Sequence, residues 1–190
     1  MSSLWFVRHG STAWSERQRL QGWAPIGLSV RGIDEAHDIG RQARRLGIRR
    51  ILTSPLQRAR ETARIVARYV PASIHGDGAL CEVNYGMATG CTLEELRLID
   101  ARLARSWRHQ PWQVRFATRH GALADLAAAV QPLLDGRSAA AEPTLCITHG
   151  HVIRAALTVT RQQTLAEFWH GDVPAGSIWH VRNPGDLTRV

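Results

Sequence analysis

A chain of 190 residues, 44% hydrophobic and 21% charged, is sized for one domain around a buried core. All 24 basic residues are arginine, so Schiff-base chemistry and a P-loop nucleotide site, which both need lysine, are excluded. The net charge of +8 favours a small anionic ligand; the arginines are scattered over helices, as in Arg60, Arg64 and Arg68, and form no basic block that would suit nucleic acid. No apolar run approaches the roughly 18 residues of a membrane span. Met1-Ser2-Ser3-Leu4 has no basic leader, and Cys81, Cys91 and Cys146 lack CxxC spacing. Together these predict a cytoplasmic protein with reduced thiols and no membrane partner.

In chain order, Leu4–Val7 is the first predicted strand, and it runs into Arg8-His9-Gly10. Val30, Ile33, Ala36, Gly40 and Ala43 recur at helical spacing and predict a helix from about Val30 to Leu46. Arg50–Thr53 reads as a short strand. Ser54-Pro55 then reads as a helix start, with serine as N-cap and proline as first residue, the helix running to about Tyr69. Ala72–His75 is a further candidate strand. Residues 76–91 are glycine-rich and aperiodic, which suggests a functional loop or lid. Leu93, Leu96, Leu103 and Trp107 predict one helix, residues 108–118 an irregular stretch, and Leu123, Leu126, Val130 and Leu133 another helix. Residues 135–143 form a small-residue linker. Thr144–Thr148 is a strand that ends in His149-Gly150 and precedes a helix, and Ser177–Arg182 is a late strand. The alternation predicts an α/β fold with a mostly parallel sheet covered on both faces.

Two strands thus deliver a histidine and then a glycine at their carboxyl ends, the edge where open α/β sheets bind ligands. A neutral imidazole is a good phosphoryl acceptor, and the neighbouring guanidinium of Arg8 both binds phosphate oxygens and disfavours protonation of His9. Gly10 would let the backbone pass close to a ligand. Arg58, one turn into the Ser54 helix, could reach a phosphate, or could be one solvated arginine among several. Glu82, between apolar neighbours, could be a carboxyl raised by desolvation and able to protonate a departing alkoxide, with Asp77 as the alternative acid. His149-Gly150-His151 with His9 could instead ligate zinc, although no suitably spaced carboxylate or cysteine accompanies them; His151 otherwise reads as a pocket-edge residue. Trp14, Trp23 and Trp112 could stack on a ring or simply pack.

Four segments occur in order: RHGSTAWSERQRLQG at 8–22, SPLQRARETA at 54–63, LCEVNYG at 80–86 and ITHG at 147–150. Together they resemble the histidine phosphatase superfamily, the phosphoglycerate-mutase-like fold. The resemblance implies a three-layer αβα sandwich across residues 1–190. It implies His9 as nucleophile, Arg8, Arg58 and His149 as the phosphate pocket, and Glu82 as general acid and later base. It also puts Ser15, Gln21, Gly22 and Gly150 at the substrate, with no metal and no cofactor. Ser15 stands where the family usually has asparagine, which weakens one expected phosphate contact, and Ser11 where glutamate is common. Residues 22–28 lack the aspartate and the proline at the family's usual places in that turn, 87–90 lack a Trp-Glu pair, and 119–122 lack Gly-Glu-Ser. The implied activity is metal-independent hydrolysis of a small phosphomonoester through a phosphohistidine. The ester could be α-ribazole phosphate, a sugar phosphate, phosphoglycerate, phosphoserine or a nucleotide. A cofactor-dependent mutase is the alternative, although those members carry an insertion after the acid loop that this chain lacks; a non-catalytic phosphate-binding module is another.

Overall fold

The computed structural model describes residues 3–116, 121–135, 142–161, 168–169, 172–183 and 186–190. Six strands form one sheet: β1 (Leu4–Arg8), β2 (Arg50–Thr53), β3 (Ser73–Gly76), β4 (Thr144–Thr148), β5 (Ile178–Asn183) and β6 (Asp186–Arg189). Their order is β3-β2-β4-β1-β5-β6. β3, β2, β4 and β1 pair in parallel, and β5 runs antiparallel to both β1 and β6. The helices are α1 (Ala13–Glu16), α2 (Val30–Arg45), α3 (Gln57–Val66), α4 (Leu93–Ile99), α5 (Ala101–His109), α6 (Leu123–Leu134) and α7 (Gly150–Arg161).

The central strands are apolar at successive positions because both faces are covered. In β1, Leu4 and Phe6 join a core built with Leu96, Trp107, Leu126 and Ile153 from α4 to α7. Trp5 and Val7 point the other way, into a core with Ile39 and Ala43 of α2 and Ala63 and Val66 of α3. The expected αβα sandwich is therefore formed. Each fully buried aliphatic or aromatic side chain stabilises it by roughly 1.5–3 kcal/mol.

One topological feature positions the candidate site. β1 leads into α2 on one face, whereas its neighbour β4 leads into α7 on the other. Where adjacent strands send their connections to opposite faces, a crevice opens at their carboxyl ends. Arg8-His9 and His149-Gly150 stand at that crevice.

Several expectations are corrected. Ser54 is not the cap of α3: Leu56 is the N-cap and makes no side-chain bond, while the Ser54 hydroxyl accepts from Leu56 N at 3.3 Å and sits 2.8 Å from His149 Nε2. α3 also ends at Val66, before Tyr69. The single helix expected over 93–107 is two, because Asp100 leaves the helical conformation (φ −145°) and caps α5 through Leu103 N at 2.8 Å. The glycine-rich stretch is not a free-standing lid: Leu80, Val83, Tyr85 and Ala88 are buried in the core, and two short 3₁₀ turns, Gly78–Leu80 and Gly86–Ala88, lie along it. β6 and α1 carry too few residues for a periodic signal. Most of the expected linker, residues 136–141, lies outside the described residues. Among the described residues no helix is long and apolar enough to cross a membrane.

Candidate active site

His9 follows β1, and its backbone N–H donates to Thr148 O of β4 at 3.0 Å, so the crevice itself fixes the residue. The imidazole is 2% exposed. Nδ1 lies 2.7 Å from Gly10 O, and a carbonyl only accepts, so Nδ1 carries the proton. The lone pair is then on Nε2, which accepts from Arg58 Nε at 3.0 Å. Burial, followed by the cations of Arg58 and Arg8, holds this imidazole well below its usual range. A buried, neutral, tautomer-fixed imidazole at a ligand crevice is chemically competent as a nucleophile.

Arg58 is fully buried, with Nη2 donating to Gly22 O at 2.9 Å. Burial lowers its pKa to about 10, so it remains a cation at neutral pH. Its Nη1 has no partner, nor does Arg8 Nε, while Arg8 Nη1 donates to Val173 O at 2.6 Å. A buried charged donor without an acceptor is costly, and two beside one imidazole make this a candidate anion site. Arg8, His9, Arg58, Glu82, Tyr85 and Gly150 all line one cavity of about 520 Å³. Gly150 opens α7 there, and the amino end of that helix adds positive potential. His149 stands behind, fully buried, its ring edge-on to His9 at 5.0 Å, with Nδ1 unpartnered. Burial, then Arg58, His9 and Arg8, keep His149 neutral as well.

Glu82 reaches the cavity from the buried loop. Its Oε1 accepts from Val83 N at 2.9 Å and its Oε2 lies 3.2 Å from His151 Nδ1. Burial alone would push the carboxyl up, but the His151 imidazole, the Val83 N–H and Arg58 outweigh it, and Glu82 is held below the usual carboxylate range. The expectation of a raised carboxyl is thus reversed in direction. His151 is a cavity residue, with Tyr85 Oη 2.9 Å from the same Nδ1.

The remaining predicted residues divide. Gln21 and Gly22 line the cavity. Gln21 Oε1 accepts from Thr12 Oγ1 at 3.0 Å. Gly22 has φ +49°, and a Cβ there would meet Tyr85 Cδ2 at 3.1 Å, so only glycine fits without strain. Ser15 is at the cavity wall, yet its hydroxyl is occupied in a capping box, accepting from Thr12 N at 2.8 Å and donating to Thr12 O at 2.9 Å. Gly10 is not needed for a ligand: a Cβ there would lie 2.2 Å from Gly32 O, so glycine serves helix approach. Asp77 caps a 3₁₀ turn through Ala79 N at 2.9 Å and does not line the cavity. Trp14, Trp23 and Trp112 are not cavity residues either; Trp23 Nε1 donates to Glu82 O at 2.8 Å and so braces the acid loop. Among the described residues no three His, Cys, Asp or Glu side chains are grouped to hold a metal, so the zinc set of His9, His149 and His151 is not formed. Residues 119 and 120 lie outside the described residues.

Thr62 was missed by sequence reasoning: it accepts from Gly10 N at 3.2 Å and donates to Arg58 O at 2.8 Å, tying the two halves of the site. Its position one turn after Arg58 was the available signal. Tyr85 and His151 were missed as a pair because 66 residues separate them.

The chain belongs to the histidine phosphatase superfamily (branch 1), whose family pattern matches residues 4–190. One relative is described as a probable phosphoglycerate mutase GpmB of Klebsiella pneumoniae. It is 37% identical over 112 residues, 58% of this chain and 49% of that protein. The chain thus spans about half the length of the curated relatives it matches. Among solved structures, Bacillus stearothermophilus YhfR has a TM-score of 0.85 at 26% identity, over 100% of this chain and 96% of that one. The phosphoserine phosphatase of Entamoeba histolytica, in complex with 3-phosphoglyceric acid, has a TM-score of 0.82 at 24% identity, over 95% and 90%, and shares the fold.

Proposed function

We propose that the protein is a metal-independent phosphomonoesterase acting through a phosphohistidine on His9, with a small phosphorylated metabolite as substrate. The observation that carries this reading is the neutral His9 ring, its Nε2 lone pair turned to Arg58 beside unfilled donors of Arg8 and Arg58. Phosphoryl transfer needs little beyond a nucleophile, positioning and charge. The phosphoryl oxygens take the guanidinium donors, and Arg58 Nε releases the lone pair. Nε2 attacks phosphorus in line and the ester P–O bond breaks, with a proton from the Glu82 carboxyl going to the leaving oxygen. Water then attacks the phosphohistidine, giving its proton to Glu82, and the P–N bond breaks to release phosphate. Arg8, Arg58 and the amino end of α7 offset charge throughout.

A hydrolase is favoured over a mutase. Among the described residues the acid loop passes into α4 at Leu93 with no further element between them. The relatives' names fall on both sides, so the test includes both reactions. Phosphate release is measured from a panel of phosphomonoesters with EDTA present, alongside interconversion of phosphoglycerates, in wild type and His9→Ala. Release should survive EDTA and fall on the order of a thousandfold or more in the variant. Near-wild-type turnover by His9→Ala would sink the assignment; interconversion without phosphate release would establish the mutase instead.

A further inference from the structure

Building on the phosphatase reading, we propose that the proton given to the leaving oxygen is held jointly by Glu82 and His151. His151 is then a positioning residue that acts through Glu82.

The geometry carries this. Glu82 Oε1 is occupied by Val83 N, so Oε2 is the oxygen available for proton transfer. Its contacts are His151, through Nδ1 at 3.2 Å and through the backbone N–H at 3.4 Å. Tyr85 Oη fixes the same Nδ1 from another side at 2.9 Å. Aromatic rings close around the imidazole: Trp107 at 5.4 Å, Trp169 at 5.6 Å and Phe168 stacked at 6.2 Å. None of them can accept its proton. Glu82 and His151 both line the cavity that holds His9, and α7 carries His151 two residues beyond His149, so the pair is registered to the crevice.

The chemistry requires a store of protons. A carboxyl beside Arg58 and N–H donors is ionised at neutral pH, fit to act as a base but lacking the proton that the first step consumes. The His151 imidazole, 3.2 Å from Oε2, is a neighbour whose ring nitrogen can carry that proton. In the first step the His9 Nε2–P bond forms, the P–O bond breaks, and the pair's one proton moves to the leaving oxygen. The pair is left as carboxylate and neutral imidazole. In the second step a water O–P bond forms, the N–P bond breaks, and the water proton returns to the pair. Other charged or titratable groups also face the pair. They are Tyr85 on the same loop, Arg58 on α3, Arg8 on β1, His149 after β4, and Arg154 on α7.

The test compares two esters over a range of pH: p-nitrophenyl phosphate, whose leaving phenolate needs no proton, and glycerol phosphate, whose alkoxide does. His151→Leu removes the partner; His151→Asn keeps a donor to Glu82 but no titrating proton. Circular dichroism checks folding. The loss of kcat/KM in His151→Leu should be at least about tenfold greater on the alkyl ester than on the aryl ester. In both variants the falling alkaline limb of the alkyl-ester profile should move to lower pH, because only the carboxyl remains to hold the proton. If the leucine variant does not fold, the limb of the asparagine variant decides. Equal losses on both esters, or an unmoved limb, would overturn the proposal. Failure of the phosphatase reading looks different: wild type itself would release no phosphate from either ester, and this proposal would fall with it.

Discussion

Arg58 occupies a place where a hydrocarbon would pack at lower cost. Its cation is fully buried, bonded to an imidazole and a carbonyl, with one donor left over. The fall of its pKa to about 10 corresponds to a penalty on the order of 3 kcal/mol. An anion bound in the cavity relieves that penalty, and a ligand that binds only the folded state stabilises it. Arg58→Met should therefore keep or raise the thermal midpoint while abolishing the further rise that inorganic phosphate gives wild type. A phosphate-dependent rise that persists in the variant would show that Arg58 is not part of the anion site. At this scale His9, Arg8, Glu82 and His149 could be named as candidates because each sits in a short contiguous phrase, whereas Arg58 stood out from its neighbouring arginines only through the family resemblance. Gly10 was misread because what a Cβ there would touch depends on a crossing helix, and the capping role of the Ser15 hydroxyl at the cavity wall was equally invisible in the sequence. The Glu82–His151 contact joins two phrases, and neither phrase alone announces it.

Between elements, the β1 exit lies tight against α2. A Cβ on Gly32 would lie 1.9 Å from Ser11 O, a backbone atom that cannot rotate away. Gly32→Ala should cost about 1–3 kcal/mol in urea unfolding, as overpacked positions do. It should also lower kcat, because the displaced segment carries Gly10, whose carbonyl orients His9. Unchanged stability would mean that α2 slides freely over the loop. Periodicity located α2 and α6, whose lengths span several repeats, and continuous apolar runs located the central strands. It could not see that Asp100 interrupts a continuous apolar stripe, since a cap acts through one side chain. Nor could it show that Ser54 spends its hydroxyl on His149 instead of on α3.

For the whole molecule, two buried neutral histidines make stability depend on acid. Both His9 and His149 have folded-state pKa values below the ordinary 6.5, so they contribute no change above that pH. As pH falls below it, the unfolded chain takes up protons first, and the folded state loses up to about 1.4 kcal/mol per pH unit for each ring. Glu82 works in the same sense at lower pH: its folded-state pKa is also lowered, so its stabilisation is present above the ordinary carboxylate range and is lost as pH falls through that range. Urea midpoints should therefore decline between pH 6.5 and 5, with a shallower slope in His149→Phe. A flat profile in that window would show that the rings are not held neutral. The layers of this architecture were legible from alternating strands and helices; the strand order was not, because nothing local in Thr144–Thr148 says that it will lie between β1 and β2.

That insertion also sets an order of events during folding. β1 and β2 have no ladder with each other, so the middle of the sheet stays unbuilt until β4, some 140 residues along the chain from His9, slots between them. Closing so long a loop precedes any reward from the contacts it permits, which makes such pairings slow steps. The anion site is therefore acquired late and in one piece, when the strand that carries His149 completes the sheet.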